Sequence, residues 1–164
     1  MIEMKIYIGK DGLVKTDFNK NVEVTGYEGV LSRVQAPTYR VFGDHGGAIC
    51  EIKRHIFSNL PFFTIDFLDG KPPVKLSQEM SEFQICYSVH GRGMSFSGDF
   101  TKGDIEIIQE QGSLGRLKAD VIGDDLVINI QANSSDDISM IGIGLAYGLM
   151  LAYLRRPLYA GDKS

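Results

Sequence analysis

The side chains of this sequence that could do chemistry are few and scattered. The three histidines are His45, His55 and His90, and the two cysteines are Cys50 and Cys86. Metal sites built from such residues use short fixed spacings, H-E-x-x-H or C-x-x-C, because two ligands must reach one ion from neighbouring backbone. None of the five stands at such a spacing, so no metal and no cofactor is expected. No G-x-S-x-G nucleophile elbow occurs, and Ser95 and Ser97 read as strand residues. Asp66 with Asp69, and Asp124 with Asp125, could pair as carboxylates for acid–base work. All four sit at turn signals, where aspartate commonly serves the backbone. Gly91-Arg92-Gly93 and Gly142-x-Gly144 look like pieces of a phosphate loop, but neither stands in strand–loop–helix order. No calcium loop of EF-hand spacing is present. The expectation is a protein without a catalytic site.

One constellation points to binding. Arg33, Arg40, Lys53 and Arg54 fall on or beside one proposed hairpin. If their side chains converge, they could hold an anionic headgroup or a phosphate. The competing reading is a solvated sheet face of mixed charge. The expected partner is therefore an anionic lipid headgroup or another protein. The formal net charge of −4 argues against general nucleic-acid binding.

The elements that would position these residues are mostly strands. Candidates are 4–8, 13–16, 22–27, 30–35, 38–42, 47–55, 62–68, 73–79, 82–90, 94–100, 104–109, 113–121 and 125–132, separated by Gly, Asp, Asn and Pro signals. Phe83, Ile85, Tyr87 and Val89 share one face, and Gln84, Cys86, Ser88 and His90 the other. Residues 47–53 echo 112–118, and the same offset lays FFTIDF (62–67) on VINIQA (127–132). Two copies of a hairpin-rich unit suit a sheet closed on itself. Ala48 and Cys50, or Ser113 and Gly115, would leave room on one face for a helix.

That helix is the end of the chain. Ile138 to Leu154 carries no charge, with Asp136 and Asp137 before it and Arg155, Arg156 and Pro157 after. A helix apolar all round must be enclosed by protein or by lipid. Seventeen residues span roughly 25 Å, short for a hydrocarbon core of about 30 Å. Asp136 or Asp137 can cap its start, the arginines suit its end, and Pro157 is expected to stop it. Gly142, Gly144 and Gly148 thin it so that strands can approach. The buried placement is therefore expected, with no stable membrane insertion. The start, MIEMKIYIGKDG, carries no secretory signal. With two cysteines only, a reduced cytoplasmic protein able to sit at a membrane periphery is expected. One domain, 1–164, is expected at this length.

YRVFGDHGGAICEIKRH, FFTIDF, the series MSFSGDFTKGDIEIIQEQGSLGRLKAD and the terminal apolar helix together resemble the LURF-one-related family, a relative of the tubby C-terminal domain and the phospholipid scramblases. The pattern rests on Tyr39, Val41, Phe42, Gly47, Ile52 and Lys53, then Gly98, Asp99, Phe100, Asp104, Ile105, Glu106 and Ile107, within residues 30–156. Gly43, before Asp44, departs from it. The resemblance implies a mainly β fold: a roughly twelve-stranded antiparallel closed barrel around the C-terminal helix, at about 136–156. With no catalytic site visible, a non-enzymatic binding or adaptor protein is expected, and the resemblance adds phosphoinositide-like lipids as a ligand class. The alternative it carries is a scramblase-like lipid-handling protein with residues 138–154 in the bilayer.

Overall fold

The computed structural model describes residues 2–10, 12–18, 20–25, 38–43, 46–55, 62–81, 84–100, 102–110, 112–134 and 137–161. The proposed strand at 30–35 and the site residue Arg33 lie outside them. Twelve strands precede one helix. They are β1 (Ile2–Ile8), β2 (Val14–Thr16), β3 (Asn21–Thr25), β4 (Thr38–Phe42), β5 (Ala48–His55), β6 (Phe62–Asp66), β7 (Val74–Ser81), β8 (Gln84–His90), β9 (Met94–Asp99), β10 (Asp104–Gln109), β11 (Gly112–Ile122) and β12 (Asp125–Ala132), followed by α1 (Ile138–Gly161). The alternation that predicts them is visible in their burial: Met4, Ile6 and Ile8 of β1 are buried, as are Ile128 and Ile130 of β12.

The strands form two antiparallel six-stranded sheets. One runs β3-β4-β5-β6-β7-β8, the other β9-β10-β11-β12-β1-β2. At the ends, β2 runs alongside β3 and β8 alongside β9. Among the described residues no backbone ladder joins either pair. The expected closed barrel is thus observed as two sheets. A closed barrel needs continuous pairing round the ring, and among the described residues neither corner shows it. At the first corner the Thr16 hydroxyl bonds the carbonyl of Lys20 at 2.7 Å instead.

The two sheets repeat one another. Between β4 and β5 the register slips at Ile49, and between β10 and β11 at Leu114, the corresponding place. Glu51 faces Asp66 and Ile52 faces Ile65; Arg116 faces Gln131 and Leu117 faces Ile130. β7 adjoins β6 as β1 adjoins β12, with Thr64 opposite Lys75 and Asn129 opposite Lys5. The second unit therefore begins at β9 and is completed by the first two strands of the chain. The offset legible in the sequence is a structural duplication. The bulge corrects one detail. Cys50 and Gly115 face inward, but Ala48 and Ser113, beyond it, are exposed.

The helix lies between the sheets, against β1, β11 and β12 on one side and β5, β6 and β7 on the other. Residues 140–150 are all buried. Asp137 caps it, its Oδ1 accepting the Met140 N–H at 3.2 Å. The glycines are contact points. A Cβ on Gly142 would stand 2.8 Å from Phe67, and one on Gly144 2.9 Å from Ile130. The helix runs past Pro157 to Gly161, contrary to expectation. Proline's fixed φ is helical, and its cost is one missing donor and crowding of the preceding turn rather than an obligatory stop. Among the described residues no helix is long and apolar enough to cross a membrane.

Candidate functional site

Alternation along β5 decides where its basic residues go. Cys50, Ile52 and Arg54 point inward and are buried, while Glu51, Lys53 and His55 point outward. Arg40 is on the outer face too. Its Nε donates to Glu51 Oε2 at 3.0 Å, and Lys53 Nζ lies 3.6 Å from Glu51 Oε1. Of the predicted set, then, Arg40 and Lys53 meet on one carboxylate, and Arg54 is engaged on the opposite face.

The registers extend this outer face beyond the predicted hairpin. Thr38, Lys53, Thr64, Lys75 and His90 line up across five strands. The row carries two lysines, an imidazole and two hydroxyls, and no acid. Beside it, His55, Phe62, Ser77 and Ser88 form a second row. Lys75 Nζ sits 4.3 Å from the centre of the Phe62 ring, and the His55 ring stacks on Phe62 with centroids 4.3 Å apart. His55 Nε2 is 3.1 Å from the Thr64 hydroxyl. Desolvation, then the charges of Lys75 and Lys53, hold the His55 pKa below its ordinary value.

A hydrogen-bonded cluster ends the platform. The Ser88 hydroxyl donates to Glu79 Oε1 at 2.8 Å and lies 3.2 Å from Ser77 Oγ and 3.0 Å from His90 Nε2. A hydroxyl has one proton. With that proton given to Glu79, His90 Nε2 must be the donor toward Ser88, the reverse of a nucleophile–base pair. The Ser88 hydrogen bond also holds the Glu79 carboxyl below its usual range, making it a weaker base. The cluster positions polar groups and is not built for acyl transfer. Among the described residues no three His, Cys, Asp or Glu side chains could share a metal ion.

Arg92 has a different task from the one its Gly-Arg-Gly setting suggests. The turn from β8 to β9 takes Gly91, Arg92 and Gly93 through positive φ of 126°, 54° and 70°. This aims the guanidinium at Asp69, with two bonds of 2.8 Å, and over the Phe67 ring at 4.7 Å. It clamps the β6–β7 turn to the β8–β9 turn. Sequence reasoning missed this pair, and it missed Lys75, because both depend on which strands adjoin.

The fold and face together define a two-sheet β protein with an enclosed helix and, across one sheet, an outer row of lysine, imidazole and hydroxyl groups. In comparison with known proteins the chain matches no family model, no curated protein and no solved structure.

Proposed function

We propose that this chain is a non-enzymatic binding protein whose outer β4–β8 face holds an anionic phospholipid headgroup at a membrane surface. The observation that carries this is the acid-free row Thr38–Lys53–Thr64–Lys75–His90. Two ammonium groups flank a hydroxyl, an arrangement suited to a phosphate, and after desolvation both lysines contribute to the lowered His55 pKa. Phe62 holds Lys75 in place from below. We also infer that the two sheets close at their corners into a barrel, and that the chain is a distant member of the LURF-one-related group; the duplicated hairpins and the enclosed helix support both. The alternative in which residues 138–154 enter a bilayer gains no support, since protein surrounds 140–150.

Binding to vesicles containing phosphatidylserine should weaken with salt. Each lysine near such a surface contributes about 1 kcal/mol, so Lys53→Glu with Lys75→Glu should abolish binding at moderate salt. Besides Lys53 and Lys75, His55 faces Thr64 and Phe62, with Glu51 beyond Lys53. A bound phosphate opposes the lysine field and raises the His55 pKa, so binding should strengthen as pH falls from 7.5 to about 5.5. Unchanged binding by the double variant would sink the proposal.

A further inference from the structure

On the outer face of the other sheet, at the place corresponding to the lysine row, lies a depression of about 100 Å³ lined by Asp104, Arg116, Leu117, Lys118, Asn129 and Gln131. Lys118 and Asn129 are cross-strand partners, and they hold the positions that Lys53 and Thr64 hold in the first sheet. The polar groups here are incompletely used. Asn129 Oδ1 is buried and has no hydrogen-bond partner among the described residues. Lys118 makes no ion pair among them either. Arg116 spends one nitrogen, Nη2, on Asp104 Oδ1 at 2.9 Å, leaving its other donors unspent.

The unmet demands have opposite signs. A buried carbonyl oxygen calls for a donor, and an unpaired ammonium calls for an anion. In the two rows that cross the depression the fixed charges balance, Glu3, Asp104 and Glu106 against Lys5, Arg116 and Lys118. A simple anion or a simple cation is therefore met by as much repulsion as attraction, whereas a molecule bearing both charges satisfies both ends. The volume equals about three waters, which limits such a molecule to a handful of heavy atoms. We infer that this depression binds a small zwitterion of the α-amino-acid class, its ammonium donating to Asn129 Oδ1 and its carboxylate meeting Lys118 and Arg116. This site is independent of the headgroup platform on the opposite sheet.

The test is nuclear magnetic resonance of the full chain with labelled lysine and asparagine side chains, titrated with glycine and with L-alanine. Acetate and methylammonium serve as the single-charge probes. Saturable shifts of the Lys118 and Asn129 signals with the amino acids, and not with either single-charge probe, are expected. Lys118→Met and Asn129→Thr should each weaken the binding about tenfold or more. The threonine is the residue the first sheet carries at the corresponding position, so this variant keeps the fold. Lys53→Met should change nothing. Absence of a saturable shift overturns the inference, as does acetate binding as well as alanine does.

Discussion

Gly142 and Gly144 test whether the helix is truly gripped from two sides. They are two residues apart, about 200° round the helix, and they face different sheets: Gly142 toward Phe67, Cys50 and Ile65, Gly144 toward Ile130 and Leu117. Replacing glycine by alanine in a free or one-sided helix stabilises it by about 1 kcal/mol. Here a new methyl on Gly142 would stand 2.8 Å from a ring carbon of Phe67 and 3.0 Å from Cys50 Sγ; on Gly144 it would stand 2.9 and 3.1 Å from Ile130 carbons. Overpacking of this kind costs about 1–3 kcal/mol. The net effect of either variant is then a loss of about 0–2 kcal/mol. A single variant can be relieved by a small shift of the helix toward the other sheet. In the double variant that escape is closed, so the loss should exceed the sum of the singles, a coupling that a double-mutant cycle reads directly. Thermal unfolding is the assay. At this chain length 1 kcal/mol moves Tm by about 2–4 °C. A rise in Tm for either single variant, or strict additivity in the double, would refute the two-sided enclosure.

Two further outcomes follow from local chemistry. Burial, with the neighbouring carboxylates of Asp66 and Glu51, pushes the Cys50 thiol up to about 12, so in the native protein a thiol reagent should modify half-buried Cys86 and spare Cys50 until the chain unfolds; equal labelling rates would contradict the packing around Gly142. The Arg92 hydrogen bonds lower the Asp69 carboxyl from 3.8 to about 2, a depressed folded value, so its stabilising contribution is present above pH 4 and is lost as pH falls toward 2. Arg92→Met should flatten the fall of Tm over that interval, and an unaltered acid limb would show that the pair is solvent-screened to no effect.

The features legible in the sequence were those set by local pattern. Period-two alternation located the strands, the uncharged run located the helix, and its cap was readable as Asp136 or Asp137, of which Asp137 serves, because short acceptors before an apolar run serve free N–H groups. Even the separation of Arg54 from Lys53 was readable, since neighbours in a strand point to opposite faces. The lysine row was not. Lys75 reaches Thr64 only through the β6–β7 register, and Arg92 reaches Asp69 only because two turns are neighbours in space. Register and adjacency are fixed by the global hydrophobic match rather than by nearby residues. The expected closed ring is observed as two sheets for the same reason, since closure depends on pairing of β2 with β3 and of β8 with β9 rather than on any local pattern.

The duplication explains why the functional signal was on the outer faces and why it was weak. The inner faces of both units must fit one helix, so apart from Arg54 and Gln78 they stay largely apolar and keep even the bulge at Ile49 and Leu114. The outer faces meet no such constraint. Arg40 opposite Glu51 in one unit corresponds to Glu106 opposite Arg116 in the other, a charge pair with its polarity reversed. Lys53–Thr64–Lys75 corresponds to Lys118–Asn129–Lys5. In the first unit the row ends in Thr38 and His90. In the second it ends in Asp104 and, beside Lys5, Asp17, whose Oδ1 accepts the Lys5 N–H at 2.7 Å. The same two lysines thus sit in a row without carboxylates on one side of the molecule and in a row ending in carboxylates on the other. A duplicated frame that conserves its core and reverses its surface charges has two faces free to recognise chemically different things, which is why the headgroup and the zwitterion are assigned to opposite sheets.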